Sequence, residues 1–409
     1  MRAPYLVAAA LAATLGAPAS ADPGSARLRV ATFNASLFDA REGAVAERLR
    51  GRRDEQLRQV AAVIQQVRPD ILLVNEFDWD GSGRAAQDFQ FNYLMRRQYG
   101  RDGIRYRFSH FAPVNTGLDS GLDLDGDGRT GGPGDAWGYG AYPGQYGMLV
   151  LSRYPIVRRD VRSFRRFRWA DMPGNLLPVR EDGTSWYPAA ALEVLPLSSK
   201  SHWDLPIRTP AGRLHLLASH PTPPAFDGDE RRNARRNHDE IRLWADYVSL
   251  EPGRADYLYD DEGRRGGLAA DALFVIAGDL NADPLDGSSH PGAIAQLLDH
   301  PRIQSRPVPA SEGGVESAHR LGGGNLGHRG DPAHDTAVFG DPPGNLRVDY
   351  VLPSTGLRVV DAGVFWPLST EAGADLLDAS DHRLVWVDIE IEMPPPAAPR
   401  RNPRRARGY

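Results

Sequence analysis

The 409-residue chain contains no cysteine. No disulfide can therefore brace it, and its stability must come from a large apolar core or a bound metal. Lysine is almost as scarce, because Lys200 stands alone among arginines. We read that imbalance as coding bias rather than function. The apolar run at the N-terminus, Tyr5 to Leu15, is too short to span a membrane, and no later segment is long and apolar enough to do so. Excess positive charge is missing too: the formal net charge is −5, so no general pull on a polyanion is expected. Neither an internal repeat nor an interior linker is apparent.

What remains is ordinary globular composition, enough for one large domain or two modest ones. We expect a single catalytic domain over residues 27–392. Ahead of it, Arg2, the apolar run and Ala19-Ser20-Ala21 form a secretory signal peptide over residues 1–21, cleaved after Ala21. The sequence thus predicts an exported protein, extracellular or periplasmic. Behind the domain, residues 393–409 are rich in proline and arginine and read as a disordered tail.

Along the chain, strands and helices alternate in the way of an α/β protein. Leu28 to Phe33 alternates as a strand and ends at Asn34. Asp54 to Val67 carries Leu57, Val60, Ala61, Ile64 and Val67 at helical spacing. Ile71 to Val74 is a strand delivering Asn75 and Glu76. A helix is expected over Asp88 to Tyr99, and strands over Gly147 to Ser152, Trp186 to Val194 and Leu214 to Ala218, the last feeding His220. A helix follows from Arg231 to Val248. Later strands are expected at Arg347 to Leu352, Gly363 to Trp366 and Leu384 to Ile391.

The most informative stretch is Phe274-Val275-Ile276-Ala277-Gly278-Asp279-Leu280-Asn281. Apolar residues run into a glycine and then into polar ones, so a buried strand leaves its sheet as a loop. Asp279 and Asn281 are two apart and would face the same way on an extended backbone. A carboxylate and an amide aimed at one point suit a phosphate under attack by water. Asn34, Glu76, His220, Asp349, Asp381 and His382 sit at strand edges too, where sheet proteins place active sites.

Two other features invite function. In the glycine-rich insertion from Val114 to Tyr146, Asp123, Asp125 and Asp127 alternate and Gly128 follows, as a calcium loop begins. Position twelve is Gly134, however, so a structural Ca²⁺ competes with a solvated acidic turn. The cluster Phe164, Arg165, Arg166, Phe167, Arg168 and Trp169 reads either as a wall of the fold or as a surface that stacks bases.

The motifs Thr32-Phe33-Asn34, Val74-Asn75-Glu76, Tyr146 to Pro155, Ser219-His220, Gly278-Asp279-Leu280-Asn281, Arg347 to Val351 and Ser380-Asp381-His382 occur in order across the chain. In this the sequence resembles the endonuclease/exonuclease/phosphatase superfamily, the DNase-I-like metal-dependent phosphoesterases. The resemblance implies a four-layer αββα sandwich with two facing mixed sheets. It implies that Glu76, with Asn34 and Asp381, holds Mg²⁺ or Mn²⁺, and that Asp279 orients or deprotonates the attacking water. Asn281 would hold the phosphate, and His382, paired with Asp349, would stabilise the transition state or assist the leaving oxygen. His220 matches a second histidine of the DNase and sphingomyelinase branches. Pro221-Thr222-Pro223-Pro224 and the segment Leu250 to Gly267 depart from the family pattern.

The expected function is that of a secreted, metal-dependent phosphoesterase, expected as a monomer and acting on a phosphorylated small molecule or on nucleic acid. Small phosphoesters rank ahead of DNA, and phospholipid head groups come third. A catalytically silent binding module on the same fold would have lost one of Glu76, Asp279, Asn281, Asp381 or His382, and all are present.

Overall fold

A computed structural model describes residues 25–392; the expected signal peptide (residues 1–21) and the expected tail (residues 393–409) lie outside the described residues. Within them the strands are β1 (Ser25–Leu37), β2 (Ile71–Phe77), β3 (Phe108–Phe111), β4 (Met148–Ser152), β5 (Arg162–Ser163), β6 (His202–Thr209), β7 (Gly212–Ser219), β8 (Leu273–Asp279), β9 (Ala337–Val338), β10 (Asn345–Leu346), β11 (Asp349–Pro353), β12 (Arg358–Val364) and β13 (Val385–Glu392). One sheet runs β12-β13-β1-β2-β4-β3 and the other β11-β8-β7-β6-β5, with β9 and β10 forming a small hairpin apart. Both large sheets are mixed: β1–β2 and β7–β8 are parallel and the other pairs antiparallel. The α-helices are α1 (Ala44–Arg50), α2 (Glu55–Val67), α3 (Arg84–Phe89), α4 (Ala189–Leu192), α5 (Arg232–Tyr247), α6 (Ala295–Leu298) and α7 (Glu312–Leu321).

Strand alternation explains the layering, because successive side chains take opposite faces. In β1, Leu28 and Val30 join a core shared with Trp203 and Leu205 of β6 and Val275 of β8. Ala31 and Phe33 point the other way, against Leu57, Val60 and Ile64 of α2. In β8, Val275 and Ala277 face the layer between the sheets, while Phe274 and Ile276 pack on Ile241, Trp244 and Val248 around α5. The result is helix, sheet, sheet, helix, the expected four-layer sandwich. The Asp54 carboxylate accepts the Leu57 N–H at the start of α2, a cap that contributes about 1 kcal/mol.

Several expected elements shift. Trp186 to Val194 is not a strand: after Pro188 the Ala-Ala-Ala-Leu run forms α4, as strong helix formers do once a proline has set the entry. The helix expected over Asp88 to Tyr99 starts earlier, at Arg84, and passes into a π-helical turn ending at Leu94. The strand after Arg347 begins only at Asp349, and β12 runs over Arg358–Val364 rather than Gly363 to Trp366. The cluster from Phe164 to Trp169 is a wall of the fold, with Phe164, Phe167 and Trp169 fully buried.

Candidate active site

The same alternation that builds the layer between the sheets also builds the site. Asp279 continues the face of Val275 and Ala277, and Asp349 continues that of Val351. The two acids are register partners in the antiparallel β8–β11 pair. Asn34 lies on the face of Leu28 and Val30 in β1. At the ends of these strands the apolar layer thus gives way to a polar rim held by both sheets.

One oxygen of Asp279 is the hub. Its Oδ2 accepts the Asn34 amide at 3.0 Å and lies 3.4 Å from His220 Nε2 and 3.8 Å from His382 Nε2. Its Oδ1 accepts the Asn281 backbone N–H at 3.0 Å. His382 uses Nδ1 on Asp349 Oδ2 at 2.8 Å, which turns Nε2 toward Asp279. Asn34, His220, Asp279, Asp349 and His382 are all nearly or fully buried. Ligand atoms of Asp279, Asp349 and His382 fall within 4.8 Å of one another, close enough to share a metal ion.

Burial sets the charges. It pushes the Asp279 carboxyl up to about 6, with Asp349 adding to the rise while His382 and Asn34 oppose it. Burial alone would pull His382 down, but Asp349 and Asp279 together outweigh it and raise the imidazolium to about 10. His220 goes well below its ordinary value through burial, then Lys200 and His382. The site therefore pairs a charged histidine with a neutral one across a carboxylate that takes up a proton readily.

The other expected residues are placed less simply. Glu76 is half-buried, with a positive φ of 55°; burial raises its carboxyl while His382 and Asn34 act against the rise. Asp381 is exposed and accepts the Ser36 hydroxyl at 2.9 Å. Asn281 does not share an extended backbone with Asp279: β8 ends at Asp279 and Asn281 has φ 52°. Its amide donates to the Pro221 carbonyl at 3.1 Å. The expectation that strand alternation aims both groups at one point is corrected on that ground.

Asp123, Asp125 and Asp127 do come together. Their oxygens already accept backbone amides, Asp123 from Gly126 and Gly128, Asp125 from Asp127, and Asp127 from Arg129, as in a tight acidic turn. The sequence reading missed two partners of the site. The Phe339 ring stands edge-on to His382 at 5.5 Å. Lys200 lies within electrostatic reach of Glu240, Glu76 and Asp279, and its solitary place among arginines was the signal that could have found it.

A family model described as endonuclease/exonuclease/phosphatase matches residues 31–382. The chain belongs to that family. Its members are hydrolases that act on phosphoesters with the help of a metal. No curated protein matches the sequence. Among solved structures, an endonuclease/exonuclease/phosphatase from Beutenbergia cavernae is 18% identical, with 91% of this chain and 73% of that one covered and a TM-score of 0.48. Sphingomyelinase C from Streptomyces griseocarneus is 16% identical, covering 89% and 99%, with a TM-score of 0.43. A mannosyl-6-phosphatase from Bacteroides thetaiotaomicron is 14% identical, covering 88% and 99%, with a TM-score of 0.42. Among the described residues no helix is long and apolar enough to cross a membrane.

Proposed function

We propose that the chain is an exported, divalent-metal-dependent phosphoesterase that hydrolyses a phosphomonoester or phosphodiester by attack of water. The observation carrying this reading is the convergence of Asn34, His220 and His382 on one oxygen of Asp279.

The donor set fits a hard cation such as Mg²⁺ or Mn²⁺, which prefers carboxylate oxygen. Glu76 offers a half-buried carboxylate that makes no ion pair among the described residues, and the buried Oδ1 of Asp349 has no hydrogen-bond partner. We assign Glu76 as the principal ligand, with Asn34 and Asp381 as further ligands. Held there, such an ion would polarise a phosphoryl oxygen and offset the negative charge that grows there.

The chain's own groups do the rest. Asp279 holds the attacking water and takes its proton, a task suited to a carboxyl raised toward neutrality. The Asp349 bond fixes His382 with a proton on Nδ1 and favours the imidazolium. Its Nε2–H is then free to bind a phosphoryl oxygen or to protonate the leaving oxygen. His220, neutral, braces Asp279 from the other side. Small phosphoesters rank ahead of nucleic acid because the chain is net acidic and its best base-stacking cluster is buried.

The test is hydrolysis of bis-(p-nitrophenyl) phosphate and of p-nitrophenyl phosphate by metal-stripped protein, before and after adding Mg²⁺ or Mn²⁺. Activity that needs the metal supports the reading, and silence toward both esters overturns it. Export is tested by the mass of the protein recovered outside the cytoplasm, which should begin at Asp22.

A further inference from the structure

Lys200 is the single lysine of the chain, and it is only 6% exposed. A buried ammonium ordinarily has a carboxylate or several carbonyls around it, because an unpaired charge out of water is costly. Lys200 has neither. Among the described residues its ammonium enters no hydrogen bond and no ion pair. The buried Arg236 shows the contrast, since it donates to the carbonyls of Leu197, Trp137 and Pro196.

Nor is a partner merely out of position, because the neighbouring acid is already used. Glu240 Oε1 accepts the Ser199 N–H at 2.6 Å and the Ser199 hydroxyl at 2.9 Å, and its Oε2 accepts the Thr222 N–H at 2.6 Å. These bonds tie the segment before β6, the loop after His220 and α5 into one rigid corner. The Lys200 carbonyl is held by the Asn115 N–H at 3.0 Å, and the Asn115 amide bonds the carbonyls of Arg165 and Ser198. The base of the side chain is therefore fixed.

Its tip is not sealed. His220 Nδ1 and Asp349 Oδ1 are shut away without partners, whereas the Lys200 nitrogen keeps access to space. That space borders the site: Glu240 ties Ser199, the residue before Lys200, to Thr222, two residues past His220, and Glu240, then Glu76 and Asp279, all favour the ammonium against its burial. A fixed, unpartnered cation beside the water-activating carboxylate wants an anion that the protein does not supply. An ammonium with three donors is a compact point charge suited to a single phosphate oxygen.

We propose that Lys200 is a catalytic residue whose ammonium binds a non-bridging oxygen of the scissile phosphate and stays on it as negative charge develops. This rests on the phosphoesterase reading of the site. The competing account makes Lys200 a counter-charge that only holds Glu76 and Asp279 in the fold.

The experiment uses the full mature chain with Mg²⁺, comparing wild type with Lys200→Met and Lys200→Arg. Lys200→Met should fold, by circular dichroism and melting temperature, yet lose on the order of 10²-fold or more in kcat/KM, the scale for removing one preorganised charge donor. Competitive inhibition by inorganic phosphate should weaken with it. A second arm needs no turnover. Pyridoxal 5′-phosphate, an aldehyde carrying a phosphate, is reduced onto wild-type protein with borohydride and the modified peptide is mapped by mass. Lys200 should be labelled, with the N-terminal amine as the only competitor, and inorganic phosphate should protect Lys200 alone. Near-normal kcat/KM in Lys200→Met, or absent or unprotected labelling, overturns the proposal. A melting temperature that collapses in Lys200→Met and recovers in Lys200→Arg, with no protection by phosphate, assigns the counter-charge role instead. Should wild type be silent on both esters, the phosphoesterase reading fails, and the labelling arm still decides whether an anion sits at Lys200.

Discussion

Asp349 and Asp279 stand opposite each other as register partners of adjacent antiparallel strands, both facing the layer between the sheets. Burial raises the affinity of both carboxylates for a proton, and a second acid adds to each rise, Asp349 at Asp279 and Asp381 at Asp349. The imidazolium of His382, bonded to one and facing the other, is what lets the pair coexist. The three residues therefore act as a unit, and changes to them should be read together rather than summed.

Asp279→Asn keeps the size and one oxygen of the side chain but cannot take a proton from water. Turnover should fall by about 10²–10⁴-fold, the usual share of a general base, with the melting temperature little changed. Steady-state kinetics beside thermal unfolding checks both halves. Near-normal turnover would remove Asp279 from the mechanism.

Asp349→Asn should act through His382. Without the carboxylate at 2.8 Å the ring loses the partner that fixes its Nδ1 proton. The double variant Asp349→Asn with His382→Ala should then be scarcely slower than His382→Ala alone. Additive losses in that cycle would show the two residues working independently.

Glu76→Gln should separate metal from chemistry. The amide retains the shape while removing the charge assigned to the cation, so half-maximal activity should require at least tenfold more Mg²⁺. A metal titration of activity in both proteins decides it. An unchanged titration would place the ion elsewhere, with Asp279, Asp349 and His382 the next candidates.

Much of this site was legible because strand alternation carries a residue's face along the sequence. Asn34 follows Leu28 and Val30, and Asp279 follows Val275 and Ala277, so apolar neighbours foretell where the polar tip points. Asn281 broke the rule because the strand stops two residues before it, and a left-handed backbone is invisible in an Asn that also favours turns. Trp186 to Val194 misled because aromatic residues raise strand propensity, while what decided the segment was packing against the α5 layer and the proline at 188. β6 was overlooked: its Trp203, Leu205 and Ile207 do alternate, but Pro206 interrupts the pattern and the opposite face is buried as well. Lys200 depends on Glu240 being occupied by Ser199 and Thr222, a fact of tertiary bonding that spacing does not encode.

Acid sensitivity should trace in part to His202, which lies outside the catalytic group. It is 1% exposed, with Nδ1 2.6 Å from the Ser198 hydroxyl and Nε2 2.9 Å from the Glu240 carbonyl. Burial pushes its pKa down to about 4, against Glu240, which acts to raise it. The unfolded chain, with an ordinary histidine near 6.5, therefore binds the proton more readily over the window between those values. The contribution is fully present above about pH 6.5 and is lost as pH falls toward about 4, amounting to roughly 2 kcal/mol by about pH 5. His202→Gln should be less stable than wild type near neutral pH, because the ring's packing against Trp244 is lost. Its stability should nevertheless decline less steeply with acid, so the two unfolding free energies converge near pH 5. Urea unfolding at about pH 7.5 and about pH 5 measures that difference. Parallel declines in the two proteins would mean that the fold leaves His202 near its ordinary pKa.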